Sequence, residues 1–350
     1  MKTYIVILVC ISLGLFFAGC EDPVTSTPTP RDEPWKVFTD ENSPLENDAV
    51  NSIVIGGLGE RWIATDAGAY KYASKNWEKI QSQIEYQTAF GASSKVNCIA
   101  IGHDGTIWFG LAGGGIKRMM RGYSGSVWQS HIVPDLTSDM VYSLVVDNTG
   151  HVWAGTASGL SRFVPTGPTI AEGRWLRYTS GNSPLLDEPV RAMGQSPVDN
   201  LLWIGTYTEG AISYDGDADW NIYAPLNEPF PIISMTFTYG RAIWFGTYAD
   251  WAYKYDIPTM EWAQVADSAH GGGLPSNFVN ALAFGRNGEI WFGTPNGLTQ
   301  LKGTEWKTWT SADSPLPDNN IRALVVDGRG NLWIGTRNGL AEFNEMGILP

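Results

Sequence analysis

The apolar runs of this chain are short, and they recur. VNSIV (50–54), VNCIA (96–100), VYSLV (141–145), VRAMG (190–194), IISMT (232–236), VNALA (279–283) and IRALV (321–325) share one pattern: an apolar first residue, a variable second and a small third. The third residues are Ser52, Cys98, Ser143, Ala192, Ser234, Ala281 and Ala323. Runs of this length bounded by turn residues read as strands. A small residue at one register of every copy predicts that seven strands crowd together there, and it makes Cys98 a core residue rather than a reactive thiol. Turns such as HDG (103–105), DNTG (147–150), RNG (286–288) and DGRG (327–330) follow, built from residues that tolerate the positive φ of hairpins. Each leads to a second strand of the form Trp-x-Gly-Thr, in which glycine admits a neighbouring backbone and the indole supplies a large apolar face. A tight turn at glycine leads to a third strand, as in GLSRF (159–163), and a looser loop to a fourth, as in WLRYT (175–179).

The second-strand tryptophans stand at 62, 108, 153, 203, 244, 291 and 333, spaced by 41 to 50 residues. A further tryptophan opens each fourth strand, at 35, 77, 128, 175, 220, 262 and 306. Four antiparallel strands per unit, seven times, predict an all-β fold, a seven-bladed β-propeller of four-stranded antiparallel blades over 35–344. The chain begins with a fourth strand at Trp35–Thr39 and ends on a third at Leu340–Phe343. The N-terminal strand is therefore expected to complete the last blade and join the two ends. High Gly (40), Trp (16) and Tyr (14) with only 17% charged residues agree with a turn-rich β protein.

The stretch SPLPDNNIRALVVDGRGNLWIGTRNGLAEFN (314–344) resembles the two-component-regulator propeller repeat, and the resemblance extends over 35–343, with Ala64 and Leu111 departing from Trp-x-Gly-Thr in blades one and two. That family supplies the periplasmic sensor regions of bacterial hybrid two-component systems, many concerned with polysaccharides. It implies a sensor-like propeller and no catalytic residues. No second apolar span and no kinase or DNA-binding module follows residue 344, so a propeller without its own signalling domain is expected.

The N-terminus reads as a targeting segment. Lys2 precedes a mostly apolar run from Tyr4 to Phe17, too short for a span, and Phe17-Ala18-Gly19-Cys20 resembles a lipobox. The expectation is a signal peptide over 1–19, lipidation of Cys20, a Thr/Pro-rich tether over 20–34 and a short tail over 345–350, placing the domain outside the cytoplasm on a bacterial membrane, outer membrane favoured, held through the lipid alone. With Cys10 and Cys20 so assigned, Cys98 has no disulfide partner. The net charge of −13 argues against nucleic acid as a partner. No metal-ligand spacing exists, and no cofactor or metal is expected. A monomer is expected.

Residues that differ between repeats are where a ligand would be read, since shared residues maintain the shared fold. The second inner-strand residues differ sharply: Asn51, Asn97, Tyr142, Arg191, Ile233, Asn280 and Arg322. After Trp-x-Gly-Thr stand Asp66, Tyr207, Tyr248 and Arg337. The turns of blades four and five, GTYTEG (205–210) and GTYADW (246–251), are one residue longer, and Trp251 takes the place of the turn glycine. Tyr207, Tyr248, Trp251 and Tyr142 are thus candidates for an aromatic platform, flanked by Arg191, Arg322, Arg337, Asp66, Glu209 and Asp250, suited to stacking on sugar faces and binding hydroxyls or carboxylates. The structural alternative is that the longer turn needs no positive-φ residue and Trp251 caps neighbouring loops. Three functions compete: non-catalytic binding of an oligosaccharide or other small ligand, docking of a membrane or periplasmic protein partner, and a lyase or glycosidase using His131 or His270. The first is expected, and catalysis is not.

Overall fold

The computed structural model describes residues 34–45, 49–80, 84–88, 91–122, 125–167, 172–186, 188–223, 230–239, 242–265 and 273–348. Within them lie seven four-stranded antiparallel sheets and no helix. Blade one runs outward through Val50–Ile55, Arg61–Thr65, Gly68–Ala73 and Asn76–Ile80, each strand pairing with the next. The other inner strands are Val96–Ile101, Val141–Val146, Ala192–Gln195, Ile232–Phe237, Ala281–Phe284 and Ile321–Val326. Each packs against the next, and the last packs against Val50–Ile55, so the ring closes. The N-terminal strand Trp35–Phe38 pairs with Gly339–Phe343 in the register Trp35↔Phe343 to Phe38↔Leu340, completing blade seven.

Two details depart from the sequence pattern. The inner strands of blades four and six start two residues later than the apolar runs suggest, and the amides of Val190 and Val279 bond to the Thr156 and Thr247 carbonyls of the preceding blade, each at 3.0 Å. A small hairpin, Tyr86–Thr88 with Gly91–Ser93, is inserted between blades one and two. The expected signal peptide over 1–19 and lipidation of Cys20 lie outside the described residues.

The repeat has a steric reason. The glycine of each Trp-x-Gly pairs with the small third residue of the inner strand, Gly155 with Ser143 and Gly335 with Ala323. A Cβ on Gly110, Gly155, Gly205, Gly246, Gly293 or Gly335 would collide with that small residue's neighbour on the next blade: Val141, Val190, Ile232, Val279, Ile321 and Val50 respectively. On Gly335 the clash with Val50 Cγ1 would be at 2.6 Å. The β-branched residue of each blade thus fills a notch that only Gly plus a small partner leaves in the blade before it. All six are fully or almost fully buried, each stabilising by roughly 1.5–3 kcal/mol.

The tryptophans extend the same seam outward. Trp62, Trp108, Trp153, Trp203, Trp244, Trp291 and Trp333 each meet an aromatic ring of the following blade, in order Phe109, Phe163, Tyr214, Tyr255, Phe292, Phe343 and Tyr72, at 5.2–6.2 Å between centroids. Turn aspartates complete two blades: Asp147 and Asp327 accept the indole N–H of Trp153 and Trp333 at 2.8 and 3.2 Å. Cys98 is buried against Gly110, and burial pushes its thiol pKa up, as suits a core residue.

Gly155→Ala places a methyl into Ser143 and the Val190 backbone, and should destabilise the domain by about 2 kcal/mol or more in chemical denaturation. An unchanged midpoint would contradict the notch as the closing contact.

Candidate functional site

The inner strands surround an axial cavity of about 1080 Å³ to which all seven contribute. Its mouth is set by a backbone irregularity. In blades one, two, three, five and seven a β-bulge between the first and third inner-strand residues takes Asn51, Asn97, Tyr142, Ile233 and Arg322 out of the ladder. Arg191 and Asn280 hold the same place just before the strands of blades four and six. Bulges re-aim side chains, and all seven of these residues line the cavity.

The ring of seven divides into two arcs. Over blades six, seven, one and two the side chains are used to hold neighbours together. Asn280, Asn51 and Asn97 donate to the Ile321, Val96 and Val141 carbonyls of the next blade at 3.0, 2.9 and 2.8 Å. Arg322 donates to Asn51 Oδ1 at 2.9 Å, and Asn51 donates in turn to Asp66 at 2.8 Å. Asp66 also accepts Lys95 at 2.8 Å. Burial raises the Asp66 pKa, but the Lys95 and Asn51 bonds outweigh it and hold the carboxyl below its ordinary value.

In blades three and five the stitching passes to the third residue. Ser143 and Ser234 donate to the Val190 and Val279 carbonyls at 3.1 and 2.7 Å. The second residues Tyr142 and Ile233 are thereby released to the cavity, and Arg191 of blade four, which has Ala192 at the third place, lines it beside them. The Arg191 guanidinium lies 4.3 Å above the Tyr142 ring. Tyr207 and Tyr248, 39% and 48% exposed, stand beside them with centroids 6.1 Å apart, and Tyr248 rests edge-on against Phe278. Of the ten residues singled out from the sequence, Tyr142, Arg191, Tyr207, Tyr248 and Arg322 line the cavity, and Asp66 stands one bond behind Asn51.

Trp251, Asp250, Glu209 and Arg337 are not on its wall. The reason lies in the threonine of Trp-x-Gly-Thr, which locks the following turn. Its hydroxyl donates to the carbonyl of the turn's last residue: Gly68, Gly159, Gly297 and Gly339 in the short turns, Gly210 and Trp251 in the long ones. That last residue has positive φ in every one of these turns, 78° at Gly210 and 63° at Trp251. The longer turn therefore does not remove the demand for a left-handed residue, and Trp251 adopts a conformation that is strained for a bulky side chain. It is kept there by its neighbours. Its amide bonds to the Asn277 carbonyl at 2.9 Å, the Asn277 side chain holds Ala249, and the half-buried indole packs against the cluster of Trp244, Leu274, Val279 and Phe292 between blades five and six. Asp250 accepts the Tyr253 hydroxyl at 2.6 Å. The Glu209 amide donates to the Thr206 lock, and the Arg337 amide to Asn320.

The histidine reading changes as well. His131 is the last residue of Gly125–His131 and lies among Trp108, Phe163 and Trp175 between blades two and three, not at the mouth. Burial, with the nearby Arg118 charge, pushes its pKa down to about 4. His270 lies outside the described residues. Among the described residues no three His, Cys, Asp or Glu side chains are grouped to hold a metal.

Known proteins share this geometry. The model of the two component regulator propeller matches residues 273–296 and 315–338, which carry the inner two strands of blades six and seven. Those two segments are two-component-regulator propeller repeats. No curated protein sequence matches it. Among solved structures, the extracellular domain of a putative hybrid two-component system from B. thetaiotaomicron is similar at TM-score 0.74 and 20% identity, over 90% of this chain and 41% of that one. A second such extracellular domain from the same organism gives 0.69 and 18%, over 89% and 39%. This propeller thus spans about two-fifths of the length of those domains. Virginiamycin B lyase from Staphylococcus aureus gives 0.68 and 14%, over 88% and 98%. At these identities the likeness is one of fold, and it holds for a sensor domain and a lyase alike.

Two outcomes check this reading of the repeat. At position 251 glycine should be more stable than alanine by about 1 kcal/mol in denaturant melts, because alanine keeps the strained Cβ; equal stabilities would mean that the turn relaxes. His131 is depressed in the folded state relative to about 6.5 unfolded. Its contribution is full above pH 6.5 and falls as pH drops toward 4, by roughly 3 kcal/mol in all. His131→Phe should therefore flatten the stability profile between these pH values, and an unchanged slope would count against the buried neutral imidazole.

Proposed function

We propose that this propeller is a non-catalytic, sensor-like binding module that takes an oligosaccharide in the channel mouth at blades three to five. The observation that carries the reading is the division of the mouth. Four of the seven second-position side chains are consumed in holding blades together, while Tyr142 and Arg191, with Tyr207 and Tyr248 beside them, are presented to a cavity large enough for several sugar rings. Aromatic faces with one end wet suit the C–H surfaces of pyranose rings. The fold shared with extracellular sensor domains agrees with a place outside the cytoplasm, and the lipobox-like Phe17–Cys20 agrees with tethering to a membrane through Cys20. Among the described residues of the wall the ionisable side chains are arginines, tyrosines and the buried Cys98, a lining suited to binding.

Titration against a broad panel of oligosaccharides tests the proposal. Binding should appear for at least one member, and Tyr207→Ala with Tyr248→Ala should weaken it about tenfold or more with the melting midpoint kept, while Tyr239→Ala, at an inner-strand turn at the other end of the channel, should leave it unchanged. A panel without a binder would refute the reading.

A further inference from the structure

The wall of the mouth has an electrostatic character opposite to that of the chain. The protein carries a net charge of −13. Yet among the described residues lining the cavity the only charged side chains are Arg191 and Arg322, and no carboxylate is among them. A cationic lining inside an acidic surface draws field lines into the channel and favours a negative ligand there over the surrounding surface.

The two arginines are not equivalent. Arg322 is committed: it donates to Asn51, whose own amide bonds to Asp66, and its charge helps to hold the Asp66 carboxyl ionised. Arg191 is exposed, and its guanidinium lies on the face of Tyr142. No described carboxylate pairs with it. Glu188, three residues earlier, is buried and accepts the Thr208 hydroxyl at 2.6 Å instead. Stacking on a ring leaves the N–H edge of a guanidinium free and aimed, and that edge matches a carboxylate or sulfate in bidentate fashion. An arginine so fixed loses little side-chain freedom on binding.

Resting on the oligosaccharide reading above, we propose that the ligand is an acidic sugar, a carboxylate- or sulfate-bearing oligosaccharide whose anionic group binds the Arg191 edge while a ring lies on Tyr207 and Tyr248. Arg191 is then the residue that separates acidic from neutral sugars of the same shape, with Tyr142 as the platform that holds it.

Matched pairs of probes decide this by calorimetry on the folded protein: trigalacturonate against its methyl ester, and a heparin-derived tetrasaccharide against its desulfated form. The charged member of at least one pair should bind about tenfold or more tightly than its uncharged counterpart, and raising NaCl from about 50 to about 500 mM should weaken it. The pair that responds identifies carboxylate or sulfate as the group read. Arg191→Gln should lower the affinity for that acidic probe about tenfold or more, and Arg191→Lys should fall between, since charge remains without the planar fork. Uncharged members binding as tightly, or Arg191→Gln binding the acidic probe like the parent protein, would overturn the inference while leaving the oligosaccharide reading intact. Failure of both acidic probes, where a neutral sugar binds and Tyr207→Ala abolishes that binding, would do the same. Failure of every sugar would remove both.

Discussion

The structure depends on one notch repeated around the axis. A glycine in the second strand and a Ser, Cys or Ala in the inner strand leave a space that the Val or Ile opening the next inner strand fills. Six of the seven junctions have this form, and blade one substitutes Ala64, still fully buried opposite Ser52. Such a contact is unforgiving because interiors are close-packed, so an added methyl has nowhere to go. It also fixes where neighbouring backbones lie, and hence that the carbonyl of each next blade comes within reach of a short polar side chain.

That reach explains how one ring can serve both stability and recognition. An inter-blade carbonyl near the mouth can be satisfied from the second inner-strand residue, as Asn51, Asn97 and Asn280 do, or from the third, as Ser143 and Ser234 do. Where the third residue takes the bond, the second is free to vary without leaving a buried acceptor unmet. Blades three and five make that exchange, and the side chains so released are Tyr142 and Ile233. Blade four carries Ala192 at the third place and Arg191 at the second. The strain at Trp251 serves the seam rather than the mouth, since its indole fastens blades five and six together just behind Tyr248.

Much of this was legible in the sequence because steric constraints repeat. The small third residue and the tryptophan mark the seam seven times over and the glycine six times, and the orphan N-terminal strand told of its closure. The role of the threonine was not legible, since a hydroxyl that locks a turn looks like any strand residue until the turn's φ is known. Trp251 misled for a related reason. An exception to a repeat shows that a position is under a different demand, but not toward which side its Cβ points, and the left-handed turn residue points it into the neighbouring blade. Arg191 and Tyr142 could be found as exceptions because the second position of every blade faces the cavity, through a bulge at Tyr142 and just ahead of the strand at Arg191. The asparagines at that same position were readable as polar but not as stitches, because their partners are main-chain carbonyls some 40 residues away.

The central claim is that blades six, seven, one and two hold the ring while blades three to five read the ligand. Amide hydrogen exchange with and without a saturating oligosaccharide tests it most directly. The account predicts added protection in the mouth segments 139–146, 188–195, 206–210 and 247–251, with the corresponding segments 49–54, 96–100 and 320–325 unchanged. Protection centred on the stitched arc, or on the turns at the opposite end of the channel, would contradict it.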